Sequence, residues 1–458
     1  MTYMAEKKYS AGVCTLGCRV NQYESECMIS EFMRLGFEIK GFGDVCDVYV
    51  INTCTVTAGS DKKSRQMIRR AKNQNKNAVV AVCGCYSQNN PGAFKEGEGL
   101  RADIVAGTTE KTKIPTLALG ILNGMRPDSN ILVKNIGEYD RYENICANRS
   151  EKTRAYIKIQ DGCDARCSYC IIPQVRGRSK SREYEEIWAE TKKFDEMGYR
   201  EIVLTGIEIS SYGKDFGDKF DLLGLLEKLD AEPEFGSIGS IRLSSLDPSL
   251  VRKDFIDRVA VLGKVANHFH LSLQSGSTKV LNAMRRKYSA ETVVENMGYA
   301  KQKIKDLNLT ADLIVGFPGE TDGDFEKTIE MAKLLNIYHA HIFKYSKRPN
   351  TEAAILPGQV GENEKNERSR RLSEVCGQTK EQIHKENLGK TFEVIVEDME
   401  GGYHTAKTKN FIDVKIEAEA GDKMPPAARV KIFGYDRDFL YGKILPRACF
   451  AIDISYFP

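Results

Sequence analysis

Residues 162 to 182, GCDARCSYCIIPQVRGRSKSR, open on three cysteines, Cys163, Cys167 and Cys170, in a C-x3-C-x2-C spacing. The thiolate is the form of cysteine that ligates metals, so three of them this close describe a metal site first. Structural zinc wants four ligands, and the nearest histidine along the chain is His268, so zinc is disfavoured. A four-iron cubane normally takes one cysteine per iron. With three thiolates, one iron keeps an open position that a bidentate small molecule can fill. The amino and carboxylate groups of S-adenosylmethionine form such a ligand, and an electron passed to its sulfonium would give a 5'-deoxyadenosyl radical. On this reading the missing fourth cysteine is the catalytic feature.

The chain has 13 cysteines, an odd and clustered set that argues against secreted disulfides and for thiolate ligands in a reducing compartment. Cys18 in TLGCRVNQYES, Cys54 in INTCTVT and Cys85 in CGCYSQ each stand just after an apolar strand-like run. Parallel strands end along one edge of a sheet, so these remote residues could converge and hold a second cubane with its own open iron. Cys83 competes with Cys85, since two positions apart on a strand they would share a face; Cys85 is preferred for its place at the strand end. Cys14, Cys27, Cys46, Cys146, Cys376 and Cys449 read as small core residues.

The elements that must position these groups fall into three regimes. Residues 8–120 alternate short β-rich runs with helical stretches such as ESECMISEFMRLG and SDKKSRQMIRRAKNQ, the signature of an α/β domain with a parallel sheet. A polar connection leads to a boundary near residue 150. Residues 150–380 repeat the alternation with six strand candidates: RAYIKIQ, EIVLTGIEI, SIRLSSL, HFHLSLQ, ADLIVGF and HAHIFKYS. That pattern predicts a complete or partial (βα) barrel, and the cysteine trio follows its first strand, at the rim where barrel sites lie. Residues 385–446 alternate short strands with turns and predict a small antiparallel β-barrel of OB type, an architecture that often holds nucleic acid.

Length and composition agree. A chain of 458 residues, 41% hydrophobic, suits two or three domains. A formal charge of +3, from 67 basic and 64 acidic residues, is too balanced to indicate nucleic acid by itself. With neither a charged-then-apolar leader nor an apolar run of about 18 residues, a cytoplasmic protein without membrane spans is expected.

The cysteine-rich stretch resembles the signature of the radical S-adenosylmethionine superfamily, and nearly the whole chain resembles the methylthiotransferases, which replace a carbon-bound hydrogen with a methylthio group. The resemblance implies an N-terminal methylthiotransferase domain with an auxiliary [4Fe-4S] cluster at Cys18, Cys54 and Cys85. It implies a radical core with a second [4Fe-4S] cluster at Cys163, Cys167 and Cys170, and a C-terminal TRAM domain that binds RNA. Cys85 matches the family's Gly-Cys motif. Thr205 and Gly206, Ser244, Gln274 and Ser275, and Gly316 resemble the segments that surround S-adenosylmethionine in the family. Two departures stand out: Glu208 where the family often has His, and Asn350 where it usually has Gly.

Basic clusters that could grip RNA occur at Arg65, Arg69 and Arg70; at Arg176, Arg178, Lys180 and Arg182; at Arg285, Arg286 and Lys287; and at Lys344, Lys347 and Arg348. Within the family, TLGCRVNQYES, the cysteine stretch and HFHLSLQSGS are most similar to the branch that acts on N6-threonylcarbamoyladenosine beside the anticodon of tRNA, at carbon 2 of the adenine. An electron-donor protein and a sulfur donor are implied as partners. The alternatives are a sister branch acting on isopentenylated adenosine in tRNA or on an aspartate of a ribosomal protein, and a non-catalytic iron-sulfur protein that binds RNA or senses redox state. The tail PRACFAIDISYFP has no reading.

Overall fold

The computed structural model describes residues 8–445 except 96–98, 127–128, 140–141, 144, 148–152, 218–219 and 418–423. Cys449, the C-terminal tail and the expected boundary at residue 150 lie outside the described residues.

The first unit is a five-stranded parallel sheet in the order β2-β1-β3-β4-β5, with β1 Ser10–Thr15, β2 Glu38–Lys40, β3 Val48–Thr53, β4 Val79–Gly84 and β5 Ile104–Val105. Helices α1 Arg19–Arg34, α2 Ala58–Gln74, α3 Cys85–Asn89 and α4 Ile114–Leu122 connect or flank the strands. VYVINT and VVAVCG are buried along their whole length, because central parallel strands are covered on both faces. One face packs Met28 and Phe32 of α1 and Ile114 of α4, and the other packs Ile68 of α2.

The second unit is an incomplete (βα) barrel. Its strands are β6 Ala155–Lys158, the hairpin pair β7 Gln160–Asp161 and β8 Lys180–Ser181, β9 Glu201–Thr205, β10 Ser240–Leu243, β11 Ser245–Leu246, β12 His268–Gln274, β13 Asn308–Val315 and β14 Ile337–Lys344. Two parallel arcs, β10-β9-β6 and β11-β12-β13-β14, follow one another around the wall, so β6 and β14 are its free edges. The helices in order are α5 Ile172–Arg176, α6 Tyr184–Glu196, α7 Leu222–Ala231, α8 Lys253–Val259, α9 Thr278–Ala283, α10 Ala290–Lys303, α11 Asp322–Leu334 and α12 Glu362–Glu386.

Alternation along each strand separates two faces. Ile157, Ile202, Leu204, Ile241, Leu271, Ala311 and Leu313 join one large core under the helices. The intervening positions, among them Tyr156, Glu201, Arg242, His268, His270, Thr310, Asp312 and His341, face the interior. That interior is polar, unlike a barrel filled by branched aliphatic layers.

The third unit is a closed five-stranded barrel, β15 Thr391–Glu400, β16 Tyr403–Thr408, β17 Asp413–Glu417, β18 Ala427–Tyr435 and β19 Leu440–Ile444, in the order β15-β16-β17-β19-β18. Its core is Val394, Val396, Val414, Ile416, Val430, Ile432 and Leu440. The turn after β16 closes the floor of the (βα) barrel: Phe411 stacks on His268 with centroids 4.5 Å apart, Arg242 Nη2 donates to the Lys409 carbonyl at 3.1 Å, and Asn308 Nδ2 donates to the Asn410 carbonyl at 3.0 Å. The parallel-sheet domain, partial barrel and small β-barrel expected from the sequence are all present, the last antiparallel except between β17 and β19, which run parallel. No helix among the described residues is long and apolar enough to cross a membrane.

Candidate functional site

Cys163, Cys167 and Cys170 lie in the loop that leaves β7 at the C-terminal rim of the barrel. Gly162 makes that exit possible: its φ is +71°, and a Cβ there would lie 1.9 Å from the Arg178 carbonyl oxygen. Cys163 N–H donates to the Gly177 carbonyl at 3.0 Å, and Ser168 ties the loop to α9 through its hydroxyl on the Ala283 carbonyl at 2.8 Å. Burial pushes the Cys163 and Cys170 thiols up to about 12, and each trio member nearby raises them further. Lone thiolates are therefore unfavourable here, and a cation bound by all three reverses that balance. Arg286 supplies one donor already, with Nη1 3.2 Å from Cys167 Sγ and Nη2 2.6 Å from Asp247. Three convergent thiols, with Ala165 N–H 3.4 Å from Cys163 Sγ, suit a three-cysteine [4Fe-4S] cluster.

Beside the trio opens a cavity of about 750 Å³, lined by Cys167, Glu208, Ser210, Asp247, Arg252 and Arg286 among others. Thr205 ends β9 and Gly206 follows it, Ser244 follows β10, Gln274 ends β12 and Gly316 follows β13, all on this rim. Ser244 is buried, and its hydroxyl has no hydrogen-bond partner among the described residues, so it is free for a ligand. Gln274 is buried at φ +61°. Two of the expected contacts turn elsewhere. Ser275 places its hydroxyl 3.4 Å from Thr328 Oγ1 and accepts from Ser277 N–H, and Gly316 lies against α12, where a Cβ would meet Lys365 Cγ at 2.3 Å.

Glu208 is nearly enclosed: its N–H donates to Gln160 Oε1 at 2.8 Å and its carboxylate accepts from Ser210 N–H. Burial, with Asp247 beside it, pushes its carboxyl up to about 7. Asn350 has φ +65°, the left-handed conformation that Asn tolerates better than most side chains, so the residue in place of glycine keeps the turn.

The second trio forms where strands of the first sheet end. Cys54 follows β3, Cys85 opens α3 after β4, and Cys18 caps the start of α1. Gly84 has φ +100°, and a Cβ there would sit 2.4 Å from the Thr53 carbonyl oxygen, so only glycine lets β3 and β4 finish side by side. Gly17 presses on Cys54, with its Cβ position 2.9 Å from Cys54 Sγ. Burial raises the Cys54 thiol to about 11, with Cys85 and Cys18 adding to it. Burial also raises Cys85, opposed by Arg176 and Lys111. The three thiols share one electrostatic neighbourhood.

Cys83 does not share a face with Cys85. The chain turns from strand to helix between them, so Cys83 packs on the Met28 and Phe32 side while Cys85 packs against Ile171 and Val175 of the barrel domain. Cys27, Cys46 and Cys376 are buried and Cys14 is half-buried, but Cys146 is exposed, contrary to its reading as a core residue. Ile171, next to Cys170 in sequence, is thus also a neighbour of Cys85.

The basic run after the trio is not a solvated RNA grip. Arg176 is fully buried and donates to Glu24 of α1 at 3.0 Å, to Asp161 at 2.9 Å and to Asn21 at 2.7 Å. Glu24 also accepts from Lys158 at 2.8 Å and from Lys111, so a buried ionic knot fastens the first domain to the barrel. Arg182 pairs with Glu190, and only Arg178 of that cluster is exposed. Arg348 pairs with Asp61 and Arg286 with Asp247. Sequence reasoning missed this because most of the partners, Glu24, Asp61 and Asp247 among them, are remote in the chain. Arg166, Lys214, Arg252, Arg285 and Lys287 remain around the rim cavity.

Comparison with known proteins follows the same lines. Residues 157–332 match the radical SAM superfamily and residues 10–107 match the uncharacterized protein family UPF0004. The chain is 40% identical to the threonylcarbamoyladenosine tRNA methylthiotransferase MtaB of Bacillus subtilis, over 84% of each chain. It is 36% identical to that of Aquifex aeolicus, over 88% of this chain and 95% of the relative. It is 34% identical to the tRNA-2-methylthio-N(6)-dimethylallyladenosine synthase of Pelotomaculum thermopropionicum, over 85% and 87%. Among solved structures, the radical S-adenosylmethionine methyltransferase TsrM from Kitasatospora setae superposes with a TM-score of 0.55 at 16% identity, covering 76% of this chain and 77% of that one, which speaks for the fold. With relatives of this identity over most of its length, the chain belongs to the methylthiotransferase family of radical S-adenosylmethionine enzymes.

Proposed function

We propose that the protein inserts a methylthio group at carbon 2 of N6-threonylcarbamoyladenosine, beside the anticodon of tRNA, giving the 2-methylthio derivative. The observation that supports this reading is that Cys85 of one trio packs against Ile171, the residue after Cys170 of the other. The MtaB relatives favour the threonylcarbamoyl substrate. When bound, a [4Fe-4S] cluster at Cys163, Cys167 and Cys170 supplies the electron that cleaves S-adenosylmethionine, and a second at Cys18, Cys54 and Cys85 supplies the site for the transferred sulfur.

The residues of the chain position and shield. Ile171 and Val175 pack against Cys85 and shield it from water. Arg286 holds the Cys167 sulfur, and Gln160 fixes Glu208 at the cavity wall. Ser244 and Gln274 offer polar contacts to the cofactor, and Ser275 and Gly316 shape the rim from behind. Positioning, rather than proton transfer, carries the reaction.

The units at 8–120, 150–380 and 385–446 act in this scheme as sulfur-site, radical and RNA-holding modules. A protein that donates electrons and a sulfur donor complete the partners, in the cytoplasm. The relatives named for dimethylallyladenosine define the second reading. The deciding experiment is an anaerobic reaction of reconstituted protein with S-adenosylmethionine, reductant, sulfide and tRNA carrying threonylcarbamoyladenosine, read by mass analysis of the digested nucleosides. A methylthio derivative of that nucleoside is expected; 5'-deoxyadenosine with the nucleoside unchanged would move the substrate to the sister branch.

A further inference from the structure

Arg19 follows Cys18 and opens α1, and its side chain reaches the seam between the free edges of the barrel. Its guanidinium carbon lies 5.9 Å from the centroid of Tyr156 on β6, and its charge acts on His341 of β14 and His268 of β12. Among the described residues Arg19 makes no ion pair or hydrogen bond. The buried arginines around it differ: Arg154 and Arg242 pair with Glu201, Arg176 with Glu24, Arg182 with Glu190 and Arg286 with Asp247. A half-buried cation beside the chamber that lacks a carboxylate is a receptor for an anion from outside the chain.

The wall facing it is polar and preorganised. His270 Nε2 lies 3.3 Å from Asp312 Oδ1, its Nδ1 lies 2.7 Å from Thr310 Oγ1, and that hydroxyl lies 2.8 Å from His268 Nε2. One set of tautomers satisfies all three contacts: His270 donates to Asp312, Thr310 donates to His270, and His268 donates to Thr310. The ring of His341 stands edge-on to His270 at 5.5 Å and to His339 at 4.9 Å and has no hydrogen-bond partner among the described residues. Burial lowers the pKa of His339, to about 4, and of His341, so both are neutral donors or acceptors at pH 7. His270, Asp312 and His341 also bring their ligand atoms within 4.8 Å of one another, a donor set that suits a divalent metal. The charge of Arg19 and the commitment of His270 Nε2 to Asp312 oppose a cation there.

We propose that Arg19, with His341 and Asp312 across the seam, receives the N6 substituent of the target base: Arg19 takes its carboxylate, and the imidazole and Asp312 take its hydroxyl and ureido groups. This rests on the reading above that threonylcarbamoyladenosine is the substrate. A dimethylallyl group would leave Arg19 without an anion and Asp312 without a donor, and a site built for polar groups rejects an analogue that lacks them.

The test uses the full, cluster-loaded chain and anticodon stem-loop RNA in three forms, carrying threonylcarbamoyladenosine, its carboxylate methyl ester or dimethylallyladenosine, with affinity read by fluorescence anisotropy. Wild type is expected to bind the acid about 10- to 100-fold tighter than the ester, the range of a hydrogen bond to a charged group. Arg19→Gln is expected to hold acid and ester within threefold, and Arg19→Lys to recover part of the preference. Equal affinity of wild type for acid and ester overturns the proposal without any variant, and so does an Arg19→Gln protein that keeps the full preference. Stoichiometric zinc binding lost in His341→Ala, with the acid preference intact in that variant, assigns the cluster to a metal and overturns it too. If product analysis shows wild type methylthiolating dimethylallyladenosine and not threonylcarbamoyladenosine, the substrate reading falls and takes the proposal with it.

Discussion

Replacing Glu24 by Gln should loosen the joint between the first domain and the barrel more than any surface substitution. The Glu24 side chain is 1% exposed and faces Lys111, Lys158 and Arg176, which are 3%, 3% and 0% exposed. Burial by itself would raise its pKa, but Arg176, Lys111 and Lys158 outweigh burial and hold the carboxyl well below the usual range. Without that charge Lys111 loses its carboxylate, and Lys158 and Arg176 share only Asp161. Breaking a buried pair in this way costs about 3 to 5 kcal/mol. Because a three-part chain does not unfold in one step, the loss is best read locally, as hydrogen exchange over α5 and the β7–β8 hairpin. A loss of about 3 kcal/mol is a drop in protection of at least about 100-fold. The double variant Glu24→Gln, Lys111→Met should regain more than half of it, since an apolar replacement of a buried pair is often neutral. Acid provides an independent check. A carboxyl with a lowered folded pKa stabilises above its unfolded value and loses that stability as pH falls toward the folded one, so wild type should lose protection below about pH 4.5 and Glu24→Gln, which keeps only the Asp161 carboxylate in the knot, should lose less. Unchanged protection in Glu24→Gln at neutral pH would refute the claim that the knot holds the joint.

Three further outcomes are expected. Alanine at Cys163, Cys167 and Cys170 should abolish cleavage of S-adenosylmethionine, whereas alanine at Cys18, Cys54 and Cys85 should spare cleavage and stop methylthio insertion; 5'-deoxyadenosine assay and nucleoside mass analysis separate the two, and product from the second variant would sink the auxiliary site. Glu208 has a carboxyl raised to about 7, so its neutral form stabilises the fold below its unfolded value near 4.5 and that stability is lost as pH rises through 7; the difference corresponds to about 3 kcal/mol at most, and urea titrations from pH 5 to 8 should show a flatter profile for Glu208→Gln. Arg429, Lys431 and Lys443 share one exposed face of the terminal barrel, with Lys431 opposite Lys443; replacing all three by Gln should weaken tRNA binding and lower its salt slope by about two, as measured by filter binding from 50 to 200 mM salt, and an unchanged slope would remove that face from the RNA footprint.

Much of the architecture was legible because period and punctuation agreed. HFHLSLQ alternates as a half-buried strand should, ADLIVGF, VYVINT and VVAVCG read as buried parallel strands, and glycines mark where loops must leave them. The positions of Cys18, Cys54 and Cys85 at strand ends followed from the same pattern. Three things could not be read. Whether Cys83 and Cys85 share a face depends on where β4 gives way to α3, which a Gly-Cys pair does not announce. RGRSKSR looks like a solvated basic patch until Glu24, 152 residues away, and Glu190, on the helix that follows, arrive as partners. Glu362–Glu386, which looks polar in sequence, forms a 25-residue helix whose buried positions, Arg368, Leu372, Cys376 and His384 among them, are spread too thinly among charges to give a strong period.

The turn from Lys407 to Phe411 gives the terminal barrel a second occupation. By stacking on His268 and capping Arg242 it serves as the floorboard of the chamber whose other end opens at the cysteine rim. His268 is one link of the polar chain through Thr310 to His270, so anything that tilts the small barrel tugs on the polar inner wall of the (βα) barrel. A transplant of this module from another protein would therefore have to bring a matching plug, and a chimera lacking one would leave the barrel bottomless and wet.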